Sequence, residues 1–177
     1  TTKPVKTWTE KDTPSLPKNI NWNGTTNEGT LIEGNFYGEL FMEYAKGDEV
    51  KIATSSFVSS ITPPQLTVRT APRYFSPDND GVDDDLFISL KGSASVPLKN
   101  WSFAINDPQN GKQFWGTSGK KTITEKLIWD GRGNNGELVQ SAVDYPFVFT
   151  VTDDLGMTSK LEGYVPIDVL VIRMGNV

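Results

Sequence analysis

Residues 127–141, "LIWDGRGNNGELVQS", repeat the pattern of residues 20–34, "INWNGTTNEGTLIEG", and this repeat decides how the chain is read. Trp22 falls on Trp129, Gly24 on Gly131, Gly29 on Gly136 and Leu31 on Leu138, all at one offset of 107 (129 − 22). The same offset carries Trp8 onto Trp115 and residues 40–44, "LFMEY", onto residues 147–151, "FVFTV". Beyond this the spacing drifts, yet residues 62–68, "TPPQLTV", still resemble residues 165–171, "VPIDVLV". Self-similarity at a fixed period marks a repeated structural unit.

One period counted back from Val177 begins at Ala71, so residues 71–177 read as one complete unit. Residues 1–70 match only the last two-thirds of a unit, which makes the first unit N-terminally truncated or degenerate. The counterpart of residues 73–106 is expected ahead of Thr1, in a longer parent chain from which this one is processed or excised. An incomplete unit should carry an open sheet edge. A closed seven-stranded sandwich within residues 1–70 would refute the alignment.

The local patterning is all β. Apolar and polar residues alternate in residues 86–90, 101–105, 112–116, 124–130, 145–151, 156–165 and 167–172. Between them lie "NDPQNGK", "DGRGNNGE" and "DDLG", rich in the Gly, Asn and Asp that tight turns need. About seven short strands in roughly 107 residues, with turns at short intervals, predict a tandem immunoglobulin-like β-sandwich whose first unit is incomplete. In the repeated loop, the tryptophan is expected to end a strand in the core, with the first glycine at positive φ in the turn that follows. Trp101, Phe103, Phe114, Trp115, Trp129, Phe147 and Phe149 are the expected core aromatics. The "TDDLG" stretch (152–156) reads as a hairpin turn with Asp153 and Asp154 exposed.

Composition removes whole classes of chemistry. The chain has 177 residues with no cysteine and no histidine, which excludes thiol nucleophiles, disulfides, and histidine-based triads or zinc sites. Its 22 acidic against 17 basic residues, net −5, give no basic stripe for nucleic acid. Its apolar runs fall well short of the roughly 20 residues of a spanning helix.

The candidate site is the acidic stretch "FSPDNDGVDDDLFISL", residues 75–90. Asp78, Asp80, Asp83 and Asp85 alternate around Gly81 in the manner of half a calcium loop, but Ser89 stands where the distal bidentate glutamate belongs. The other reading is an Asx-type turn in which aspartates accept backbone N–H groups and keep an edge strand soluble. A glycosidase pair is disfavoured, because a solvated loop does not hold two carboxyls apart in pKa. An exposed tryptophan beside polar groups would favour carbohydrate binding; burial of Trp8, Trp101 and Trp115 would favour a plain structural module.

The acidic stretch, "WSFAI", and the half that runs "IWDG" to "DYPFVFTVTDDLG" together resemble bacterial immunoglobulin-like modules. These are typified by the C-terminal domain of flagellar hook-capping proteins and of gliding-motility-associated secreted proteins. The resemblance covers 71–177 and its second half recurs in 8–68, with "DNDG" (78–81) in place of "NGDG" and Asp144 in place of a glycine. It implies an exported, non-catalytic module of the bacterial envelope, periplasmic or on the outer surface, serving as spacer, anchor or assembly surface beside neighbouring domains of the same chain. The tail "VPIDVLVIRMGNV" looks like the lead-in to OmpA-like domains of spirochaete envelope proteins, which implies contact with peptidoglycan through a following domain. No cofactor is implied, apart from calcium if the acidic stretch is a metal loop.

Overall fold

The computed structural model describes residues 3–11, 15, 17–140 and 142–168, and these are all β. The chain divides into two compact units, Thr1–Ile61 and Thr62–Val177.

The second unit is a β-sandwich. Among the described residues its seven strands are β5 (Gln65–Ala71), β6 (Leu86–Ser93), β7 (Leu98–Asn106), β8 (Gln113–Lys120), β9 (Lys126–Trp129), β10 (Tyr145–Asp153) and β11 (Thr158–Val165). They form two antiparallel sheets, β5-β6-β9 and β11-β10-β7-β8. Alternation dictates which side faces in. Along β10, Tyr145, Phe147, Phe149, Val151 and Asp153 are buried while the residues between them are half-buried. Trp101, Phe103 and Ile105 of the neighbouring strand β7 extend this inner face, and Leu86, Ile88 and Leu90 of β6, in the other sheet, complete the same core. Each large side chain so buried stabilises by about 1.5–3 kcal/mol. The expected core aromatics are all present, with Trp115 at the margin of the cluster.

Six of the anticipated strands form, and the seventh differs. Residues 65–71, of which the repeat assigned 65–70 to the end of the first unit, pair along their whole length with β6, from Gln65 opposite Ser93 to Ala71 opposite Phe87. The division between units therefore falls at 61/62 instead of 70/71. Of residues 167–172, Ile167 makes a parallel bridge to Phe75, and 169–172 lie outside the described residues.

The first unit holds β1 (Gly34–Phe36), β2 (Glu39–Glu43), β3 (Glu49–Ala53) and β4 (Phe57–Ser59), paired as β1-β4 and β2-β3. No described residue between Lys3 and Ile61 is buried. Trp22 does gather a small cluster, edge-on to Phe36 at 5.0 Å and to Phe57 at 5.7 Å.

The β2-β3 hairpin is the counterpart of β10-β11. Tyr44 N–H donates to Asp48 O and Gly47 N–H to Tyr44 O, as Asp153 N–H does to Met157 O and Gly156 N–H to Asp153 O. Gly47 and Gly156 have φ of 88° and 87°. This equivalence runs at an offset of 109 (153 − 44), so residues 40–44 match 149–153 and not 147–151. The pairing of 62–68 with 165–171 fails for the same reason: the offset widens where that match needs it to shrink, and its last three positions lie outside the described residues.

Candidate functional site

The repeated tryptophan loop is built twice from the same hydrogen bonds. Trp22 Nε1 donates to Thr25 O at 2.7 Å and Trp129 Nε1 to Arg132 O at 2.8 Å. Asn23 Oδ1 accepts from Thr25 N at 3.3 Å and Asp130 Oδ1 from Arg132 N at 3.1 Å. Gly24 and Gly131 both sit at positive φ, 79° and 77°, and their carbonyls accept from Ile32 and Val139. Bridges Thr25–Leu31 and Arg132–Leu138 close the two loops. A turn this local needs no core to form. In the Trp22 loop, a hydrogen bond with the Thr26 side chain holds the Glu28 carboxyl below its ordinary range, and the Glu28 backbone N–H and Lys6 add to the effect.

What lies under the two loops differs. Trp129 is buried against Phe75 at 5.4 Å and Trp115 at 6.0 Å, whereas Trp22 is only half-buried. Gly131 lies directly over Pro77 and Phe75, so the second loop and the acidic stretch meet at one end of the sandwich.

The acidic stretch folds into a knot of backbone-to-carboxylate bonds. Asp84 Oδ1 accepts from Asn79 N at 2.6 Å and Asp84 Oδ2 from Gly81 N at 2.8 Å. Asp80 Oδ1 accepts from Val82 N at 2.8 Å and Asp78 Oδ1 from Asp80 N at 3.2 Å. Ser76 N–H, donating to Asp83 O at 3.0 Å, ties the two ends. Positive φ at Asn79, Gly81 and Asp83 turns successive N–H groups toward the carboxylates.

Of the four aspartates marked in the sequence, the fold brings Asp78 and Asp80 together, and their third companion is Asp84. One oxygen from each lies within 4.8 Å of the others. Asp83 contributes its backbone carbonyl, and both Asp83 and Asp85 have exposed side chains. Strict alternation in the loop picked out 83 and 85, but a turn with three left-handed residues does not alternate. The signal for Asp84 was its position three residues after Gly81, within reach of N–H groups that the turn gathers.

Asp153 is a second correction: it is fully buried instead of exposed. Its Oδ1 accepts from Leu155 N at 3.0 Å and Met157 N at 2.9 Å, while Oδ2 has no hydrogen-bond partner among the described residues. The strand parity of Tyr145, Phe147, Phe149 and Val151 already pointed the next odd residue inward. Asp154, the other half of that expectation, is exposed.

Among the tryptophans offered for stacking on a ligand, Trp101 is buried and donates Nε1 to Thr122 O at 2.8 Å. Trp115 is half-buried against Phe103 and Trp129, and Trp8 remains exposed.

The chain matches no protein-family model and no curated protein. The class defined by its own geometry is an all-β protein with a sandwich of two antiparallel sheets, joined in the chain to a unit that repeats its loop and hairpin with no buried residue among those described.

Proposed function

We propose that the chain is a non-catalytic structural and assembly module of an exported bacterial envelope protein. In this reading its immunoglobulin-like units act as spacer or assembly surface beside an anchoring domain, which reaches peptidoglycan. The carrying observation is that most of the groups marked for chemistry are taken up by the fold, the exposed Trp8, Asp83 and Asp85 excepted. Asp78, Asp80 and Asp84 accept backbone N–H groups, and Trp101 and Trp129 are core residues that donate to carbonyls. An open groove bordered by Gln65, Lys91, Lys121 and Glu125 holds a single carboxylate, short of the pair that acid/base hydrolysis uses.

Two details support an immunoglobulin-like descent. Tyr145, at the start of β10, is buried and its hydroxyl accepts from Gln140 N at 3.0 Å, the arrangement of a tyrosine corner. Trp101 is buried on β7, the third strand of the sandwich, where such domains carry a core tryptophan. Antibodies against the sandwich, applied to fractionated source cells, are expected to find the protein with the envelope. Recovery in the cytosolic fraction would overturn the reading.

A calcium-dependent binding role is the second reading, favoured by the approach of Asp78, Asp80 and Asp84 to within 4.8 Å. Here one cation would relieve the repulsion among them.

A further inference from the structure

We propose that β2 is an acceptor edge for an extended strand from a partner. That strand runs antiparallel to β2, places basic residues opposite Glu43 and Glu39, and places large apolar residues opposite Met42 and Leu40. The inference deepens the assembly reading above and takes from it only that the surface serves assembly.

The internal repeat states what is missing. β10, the counterpart of β2, is hydrogen-bonded on both sides, to β11 and to β7. β2 pairs only with β3 among the described residues. At the hairpin offset of 109, Leu40 stands for Phe149 and Met42 for Val151, both fully buried, with Phe103 and Trp101 of β7 opposite them. Leu40 is instead 39% exposed and its cross-strand neighbour Ile52 57% exposed. Leu40, Met42, Val50 and Ile52 thus form a half-exposed apolar face, and its β2 edge, which in β10 is occupied by β7, is open for strand addition.

Charge selects the occupant. Glu43 lies directly opposite Glu49 in the β2-β3 ladder, and like charges so placed are destabilising. Glu39 has Lys51 at 3.0 Å, but Glu43 has no such cation among the described residues. In the β10-β7 register the positions facing the counterparts of Glu43 and Glu39 are Asn100 and Ala104. A lysine at each would answer the two glutamates. The same charges disfavour a second copy of this chain, because antiparallel pairing of "ELFME" with itself sets Glu39 against Glu43 at both ends.

The probe is a fluorescein-labelled peptide with the 98–106 sequence carrying Asn100→Lys and Ala104→Lys, titrated into the full chain and read by anisotropy. Saturable binding is expected, with new amide protection along Glu39–Glu43. It should weaken about fivefold for Glu43→Lys, and similarly for a peptide with glutamate at both positions. Glu43→Lys removes a like-charge pair, so the variant keeps its fold and a loss of binding reports the edge itself. No saturable binding, equal affinity for the acidic peptide, or protection outside β2 would overturn the proposal. Dimerisation of the chain through β2 alone would also overturn it. Peptide capture is measured in vitro wherever the protein resides, so its failure is distinct from recovery of the protein in the cytosol.

Discussion

Alanine at Gly131 should damage the sandwich far more than alanine at Gly136, although both glycines lie in one loop at nearly the same φ, 77° and 86°. Left-handed backbone costs a residue with a Cβ about 1–2 kcal/mol, and both substitutions incur it. At Gly136 a Cβ meets nothing within 4 Å. At Gly131 it would stand 2.6 and 2.7 Å from Pro77 carbons and 3.3 Å from Phe75, both of which are buried. Forcing an atom into a packed core adds about 1–3 kcal/mol. Gly131→Ala is therefore expected to cost about 2–5 kcal/mol and Gly136→Ala about 1–2 kcal/mol. Urea unfolding followed by tryptophan fluorescence measures the difference as a shift in midpoint at constant slope. In the first unit, a Cβ on Gly24 would meet only ordinary contacts at 3.5 and 3.8 Å, so Gly24→Ala should leave the sandwich midpoint unchanged. Equal costs at Gly131 and Gly136, within about 0.5 kcal/mol, would refute the claim that the loop is locked by the rings beneath it.

Three further outcomes are expected. Asp84→Ala, which strips the acceptor from Asn79 and Gly81, should cost about 1–2 kcal/mol, whereas Asp85→Ala should stay within about 0.5 kcal/mol; thermal melting separates them. Asp153→Ala should cost about 2–4 kcal/mol by stranding the N–H groups of Leu155 and Met157, and Asp153→Asn, which keeps an oxygen acceptor, should cost less by the same melt. Millimolar calcium should leave the melting temperature unmoved if the acidic loop is a self-satisfied turn. A rise equivalent to about 2.7 kcal/mol at a hundred times the dissociation constant, lost in Asp84→Asn, would instead establish the cation reading.

Much of the fold was legible because local rules and tertiary packing agree in the second unit. The alternation of residues 145–151 is the burial pattern of β10, and the tryptophan loop is specified by contacts spanning a few residues, so it survives in both units. Legibility failed where long-range pairing decides. Nothing within residues 65–71 says whether they close the unit before them or open the one after, and only their ladder with β6 does so. The loop glycines conserve their φ at one offset while the hairpin slips by two residues, because insertions between a loop and a strand cost little. At the acidic site the composition was informative but the ligand-like spacing misled. Which carboxylate faces inward there depends on left-handed residues at Asn79 and Asp83 that no alternation rule anticipates.

The most direct test that the second unit is a self-sufficient sandwich, while the first has no buried residue among those described, is amide hydrogen exchange on the full chain without any partner. The slowest amides are expected in β6, β7 and β10, protected by the global stability of the sandwich, roughly 5–15 kcal/mol. Amides of β2 and β3 should exchange orders of magnitude faster than their counterparts in β10 and β11. Equal protection of the two hairpins would contradict this, since an isolated two-stranded hairpin whose apolar face is only half-buried is marginally stable.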